Sequence, residues 1–234
     1  MAGKKSNQFD VKEIFRNLRT NIEFMQMDDE IKVINLTSTT KNEGKSTISV
    51  NLAKMYAVKY PKTLLVDCDL RNPSIHRILG ITNASGLTNL LTQIKDIKKI
   101  DEMSMVQHIE LDEGVGILSV LTTGSSVPNP AEVLASKRFR KFLEMAKAEY
   151  DYILMDCSPV GIVADAVPVS SICDGTLFVI SSEENQKKSI KMCADGLKRN
   201  GANILGIVLN KVDSKTKKYG YGYGYGYGYG YGKD

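Results

Sequence analysis

An α/β fold, with a mostly parallel sheet covered by helices on both faces, is what this sequence predicts. Three observations lead there. Short apolar runs rich in Val, Ile and Leu alternate with longer stretches of helical spacing. The chain has 234 residues, 42% hydrophobic and 25% charged, which suffices for one sizeable core. Its first apolar run passes directly into a loop bearing glycine and lysine and then into a helix, at the carboxyl end of a strand, where parallel sheets bind ligands.

The elements follow in order. In FDVKEIFRNLRTNIEFM the residues Val11, Ile14, Phe15, Leu18, Ile22 and Met25 recur at intervals of three and four, predicting an amphipathic helix. Glu13, Arg16 and Arg19 are spaced by three on the same helix and are expected as a polar stripe opposite the apolar one, with an i,i+3 ion pair. Six strands are predicted over IKVINLTS, TLLVDCD, GILSVLTTG, YDYILMDCS, GTLFVISSE and ILGIVLNK. Between them, STISVNLAKMYAVKY, AEVLASKRFRKFLEMAKAE and NQKKSIKMCADGLKRN have helical character. Strand and helix alternating over this length imply βα crossovers.

After the last strand come Tyr219, Tyr221, Tyr223, Tyr225, Tyr227, Tyr229 and Tyr231, each followed by glycine. Glycine at every second position makes backbone ordering costly and leaves one side chain in two to bury, so this run builds no core. The expected division is a folded domain over residues 1–213 and a disordered tail over 214–234.

Composition narrows the function classes. Net charge is +4, but Lys211, Lys215, Lys217, Lys218 and Lys233 stand near the C-terminal end against Asp213 and Asp234. The body is therefore nearly balanced, which argues against a nucleic-acid platform, and the tail has no arginine to accompany stacking tyrosines. Cys68, Cys157, Cys173 and Cys193 are scattered without metal-ligand spacing and are expected as thiols in a reducing compartment. MAGKKSNQFD lacks the apolar stretch of a signal peptide, and no window approaches the roughly 18 apolar residues of a membrane span. The expectation is a cytoplasmic protein that meets a membrane only through a partner.

The chemistry begins in TSTTKNEGKSTISVNLA. Such a loop aims backbone N–H groups and a helix N-terminus at an anion, Lys45 can reach terminal phosphates, and the Ser46 hydroxyl can serve Mg²⁺. Residues Thr40, Lys41, Asn42, Glu43, Gly44, Lys45, Ser46 and Thr47 are therefore the expected nucleotide-binding stretch. Thr39 and Asn42 stand where the usual pattern has or would favour glycine; asparagine tolerates positive φ better than most residues. TLLVDCDLRNP puts Asp67 and Asp69 two apart at the end of one strand, and YDYILMDCSP puts Asp156 at the end of another. Carboxylates at strand ends beside a phosphate loop are what a magnesium–nucleotide site needs, since Mg²⁺ takes oxygen ligands and keeps waters.

With these motifs in view the chain resembles the bacterial tyrosine kinases of capsule and exopolysaccharide synthesis, the BY-kinases. The resemblance runs from Glu13 to the tail and includes EIFRNLR, the phosphate loop, LLVDCDLRNPSIH, PNPAEVLASKRF, ILMDCSP and the tyrosine cluster. It implies a P-loop NTPase fold and an ATP- and Mg²⁺-dependent tyrosine autokinase whose substrate is the tail. By the same resemblance Asp67 is the base, Asp69 and Asp156 hold magnesium with Ser46, and Lys45 stabilises the transferred phosphoryl group. Asn210, in VLNKVD, is placed like the residue that recognises adenine. Glu13, Arg16 and Arg19 match a subunit interface, which implies a homo-oligomer, and the partner is a membrane-embedded activator of polysaccharide export that recruits the kinase to the inner face of the membrane. His76 is expected to pack or hydrogen-bond. A rival is the related switch ATPase of partition or cell-division type, which lacks a tyrosine tail and carries an extra early lysine; Lys41, four residues before Lys45, is not at that position.

Overall fold

In the computed structural model the described residues are 11–25, 30–95, 97–111, 116–183 and 187–212. The elements run α1 (Val11–Phe24), β1 (Val33–Ser38), α2 (Lys45–Lys59), β2 (Thr63–Asp67), α3 (Ile75–Leu79), α4 (Leu87–Gln93), β3 (Val106–Glu110) and β4 (Ile117–Leu121). There follow α5 (Pro130–Ala135), α6 (Lys137–Glu149), β5 (Tyr152–Asp156), α7 (Ala166–Ser170), β6 (Gly175–Ser181), α8 (Lys187–Arg199) and β7 (Ile204–Asn210).

The seven strands form one sheet in the order β3-β4-β2-β5-β1-β6-β7, with every pairing parallel except β3 with β4. Consecutive residues of the central strands face opposite ways, as the two-residue period of a strand requires. Val33, Leu64, Val66, Ile153 and Met155 pack beneath α4, α5, α6 and α7; Ile34, Leu36, Leu65 and Leu154 pack beneath α1, α2 and α3. Burial on both faces is why these strands are continuous apolar runs.

Several expectations need correction. The helical stretch 131–149 is broken at Ser136, whose extended backbone ends α5 and whose hydroxyl caps α6 by accepting from the Phe139 N–H. The antiparallel edge strand β3 was not expected among the six. On α1 only Ile22 is fully buried, with Phe15 and Leu18 packed against the same core, while Val11, Ile14 and Met25 are exposed. The polar stripe also divides: Glu13 and Arg16 pair on the surface, but Arg19 turns to α2, where its Nη1 donates to the Met55 carbonyl at 2.8 Å. The tyrosine tail lies outside the described residues.

Candidate active site

Parallel pairing sets Asp67 of β2 level with Asp156 of β5, and Leu36 of β1 level with Asp156 on the other side. The carboxylates and the phosphate loop thus emerge together at the carboxyl end of the sheet. The loop needs two left-handed residues. Asn42 has φ 64° and Gly44 φ 87°. At Gly44 a Cβ would also stand 2.0 Å from the Asn210 Nδ2, so glycine is required there for space as well as conformation.

Around this turn the loop is braced from inside. The buried Glu43 carboxylate accepts from the Thr40 N–H at 2.8 Å and from the Ser181 N–H, at the end of β6, at 3.3 Å. Asn210, at the end of β7, donates to the Glu43 carbonyl at 2.8 Å. Two residues expected to bind nucleotide thus use their side chains to hold the loop against the neighbouring strands. Thr40, Lys41, Asn42, Ser46 and Thr47 line the adjoining cavity of ≈ 600 Å³, together with Lys45, Asp69, Arg71, Ser158 and Ile162.

Lys45 is buried at the floor. Its Nζ donates to Asp156 Oδ1 at 2.7 Å and lies 3.3 Å from the Ser46 hydroxyl and 4.0 Å from Asp69 Oδ2. Burial alone would lower its pKa, but the charge of Asp156, then of Asp69 and Asp67, more than offsets this and holds the ammonium above its ordinary range. Ser49, one helical turn beyond Lys45, donates to the same Asp156 oxygen at 2.8 Å. The other oxygen, Oδ2, is buried without a hydrogen-bond partner.

Of the three aspartates only Asp69 lines the cavity. Its Oδ1 accepts from the Ser158 hydroxyl at 2.8 Å and the Asn72 N–H at 3.1 Å. Asp67 is fully buried behind it, its oxygens accepting from the backbone N–H groups of Asp69, Ser74 and Ile75, each at 3.1 Å. Burial and then the nearby Asp156 push its pKa up to about 7. The expected base is therefore engaged by amides away from the cavity.

Arg71 forks onto the buried Asp165 with contacts of 2.6 and 3.1 Å, tying the segment after β2 to the one before α7. Sequence reasoning passed over Ser49, Ser158, Arg71 and Asp165. The i,i+4 spacing from Lys45 was the available sign for Ser49, and proximity to the aspartate motifs for Ser158 and Arg71. His76 packs with its Nδ1 buried and unpartnered.

The oxygen donors suit magnesium. Among the described residues no three His, Cys, Asp or Glu side chains converge as a metal cage. One or two carboxylates, a hydroxyl and space for waters and phosphates are what Mg²⁺ prefers, and the orphaned Asp156 Oδ2 is a buried acceptor awaiting such a partner.

Comparison with known proteins accords with this geometry. Residues 31–191 match the family described as an AAA domain. The chain is 37% identical over 209 residues to the tyrosine-protein kinase YwqD of Bacillus subtilis, covering 89% of this chain and 84% of the relative. It is 36% identical to the putative tyrosine-protein kinase CapB of Staphylococcus aureus, covering 89% of each. The crystal structure of the chimerical protein CapA2B2 superposes with a TM-score of 0.76 at 33% identity, over 89% of this chain and 88% of that one. A nucleotide cavity with this floor, in a chain so similar to these kinases over most of its length, belongs to the bacterial tyrosine kinase family, the BY-kinases.

Proposed function

We propose that this tyrosine kinase transfers the γ-phosphoryl group of ATP to the tyrosines of its own C-terminal cluster, Tyr219 to Tyr231. The observation that carries this reading is the joining, in one chain, of the Lys45–Asp156–Asp69 floor with seven regularly spaced phenols. The 40–47 loop cradles the phosphates, and Asn210 stands on the side of the adenine. Lys45 stabilises charge spreading over the transferred oxygens. Ser46, Asp69 and Asp156 would hold Mg²⁺, directly or through water; the ion supplies neutralisation of phosphate charge.

A phenol with a pKa of about 10 is a weak nucleophile near neutrality. Its proton passes to an aspartate as its oxygen bonds to the γ-phosphorus and the bond to the ADP oxygen breaks. Asp69 faces the cavity, while Asp67 has the pKa near neutrality that suits a general base, and can act once it releases the amides of Ser74 and Ile75.

The family resemblance supports a role in capsular or exopolysaccharide synthesis and export, exercised in a homo-oligomer with a membrane-embedded activator. No helix among the described residues is long and apolar enough to cross a membrane, so the inner-face location proposed here depends on that partner. Incubation with ATP and Mg²⁺ followed by anti-phosphotyrosine blotting tests the central claim. Deleting residues 214–234 should abolish the signal while nucleotide binding persists; undiminished phosphotyrosine in the deletion refutes tail phosphorylation.

A further inference from the structure

The cavity wall is chemically uneven. The phosphate loop, Lys45, Asp69 and Ser158 make most of it polar, and its apolar side chains come from two segments. One is α3, which contributes Ile78, 44% exposed; the other is the stretch after β5, which contributes Pro159, Val163 and Ile162, the last 49% exposed. A single exposed isoleucine is ordinary on a protein surface. Two on separate segments of one otherwise polar cavity form an apolar rim beside the chemistry.

Phosphates and magnesium gain nothing from such a rim. The adenine does not need it either: Asn210 and β7 contribute nothing to this lining, so a base recognised there lies outside the part of the cavity between α3 and residues 158–163. Asp69 opens onto that part, its carboxylate fixed by Ser158 and Asn72.

We propose that Ile78 and Ile162 form the acceptor subsite, gripping the faces of a tyrosine ring so that its hydroxyl points to Asp69. The assignment rests on the kinase reading above and names the substrate contacts at that same site. A phenol ring presents apolar faces along its whole length and a polar tip, which is the pattern of this wall. A serine or threonine hydroxyl, one carbon from its backbone, would leave the isoleucines unfilled and stop short of the carboxylate. The rim therefore selects tyrosine through apolar contact and reach. The glycine after each tail tyrosine, and before every one but Tyr219, suits such a rim, since it puts no side chain between backbone and isoleucine.

Full-length enzyme carrying Ile78→Ala and Ile162→Ala tests this, with a synthetic KKYGYGYGYGYGYGYGKD peptide and a random Glu–Tyr copolymer as acceptors and a fluorescent ATP analogue as nucleotide probe. The expected result is a rise in KM for both acceptors on the order of tenfold, from the lost apolar burial, without weaker nucleotide binding. The double Ile→Leu variant should restore the KM, and each single alanine variant should give part of the rise. Weakened nucleotide affinity, or an acceptor KM unchanged in the single and double variants, overturns the assignment. Wild-type enzyme that phosphorylates the copolymer but not the peptide would sink the tail as substrate and leave the acceptor subsite standing.

Discussion

Asp67 shows how the position of a side chain can be legible in the sequence while its setting is not. The strand-end pattern TLLVDCD locates it, but its full burial, its three amide donors and its level alignment with Asp156 depend on strand pairing and on the start of α3, neither of which is written in the local sequence. Lys45, Ser46 and Asp156 were legible because strand-to-loop transitions are local; Glu43 and Asn210 were legible as positions but not as braces, because the bonds from Asn210 to Glu43 and from Ser181 to Glu43 join residues far apart in the chain. The environment of Asp67 has a measurable consequence. Its folded-state pKa of about 7 lies above the ordinary 3.8, so folding favours the protonated acid. The associated stability is complete below the ordinary pKa and is lost as pH rises through about 7. Nucleotide-free protein should therefore lose thermal stability between about pH 5 and about pH 8, and Asp67→Asn, which cannot ionise, should show a shallower decline. His76, held below its usual pKa by burial and by Arg77, acts in the opposite sense and cancels in the comparison. Parallel Tm profiles for the two proteins would remove Asp67 as the titrating group.

Elements with a strong apolar pattern were legible: β1, β2, β4, β5, β6 and β7 stand where continuous Val, Ile and Leu runs require them. The edge strand β3 was not, because VQHIE is half polar and only Val106 is buried. Helix α1 shows the limit of reading spacing alone. Three-residue steps advance about 300° around an α-helix, so each member of Glu13, Arg16 and Arg19 falls about 60° behind the last. By Arg19 the series has rotated from solvent into the contact with α2, where Glu23 joins Arg19 at 3.4 Å and Lys59 at 2.9 Å. The oligomer interface proposed for this helix therefore has two kinds of member. Glu13 and Arg16, with the exposed Val11 and Ile14, are free to meet a second copy, whereas Arg19 fixes the helix that presents them. Arg16→Ala should shift the assembly to smaller species by light scattering. Arg19→Ala should lower the unfolding free energy by about 1–3 kcal/mol in denaturant titration, through loss of the charged hydrogen bond to the Met55 carbonyl and of the ion pair with Glu23, which keeps Lys59. Unchanged mass in the Arg16→Ala protein would refute the interface.

Across the whole molecule the sheet brings the origin of the tail to the edge of the active site, since β7 ends at Asn210, which holds the phosphate loop. From Val212, a fully extended chain at about 3.3 Å per residue would carry the tyrosines roughly 25 to 60 Å, against a radius of gyration of about 17 Å for a body of this size. A neighbour's cavity is then as accessible as the tail's own, and several equivalent tyrosines remove any need for a fixed register. Each transfer adds about −1.5 to −2 charges to a segment that begins neutral and flanked by lysines. The cavity itself is no source of repulsion, since Lys41, Lys45, Arg71 and Arg77 line it against Glu43 and Asp69; the repulsion lies between the charged tails of neighbouring copies. Tails should therefore be phosphorylated in trans within an oligomer, and their accumulated charge should expel them from neighbouring sites and loosen the assembly. Mixing a Lys45→Met chain that keeps its tail with an active chain truncated after residue 213 separates the two steps. Phosphotyrosine on the Lys45→Met chain together with a fall in mass by light scattering is the expected outcome. Absence of that phosphotyrosine refutes transfer in trans, and its presence at unchanged mass refutes release by charge alone.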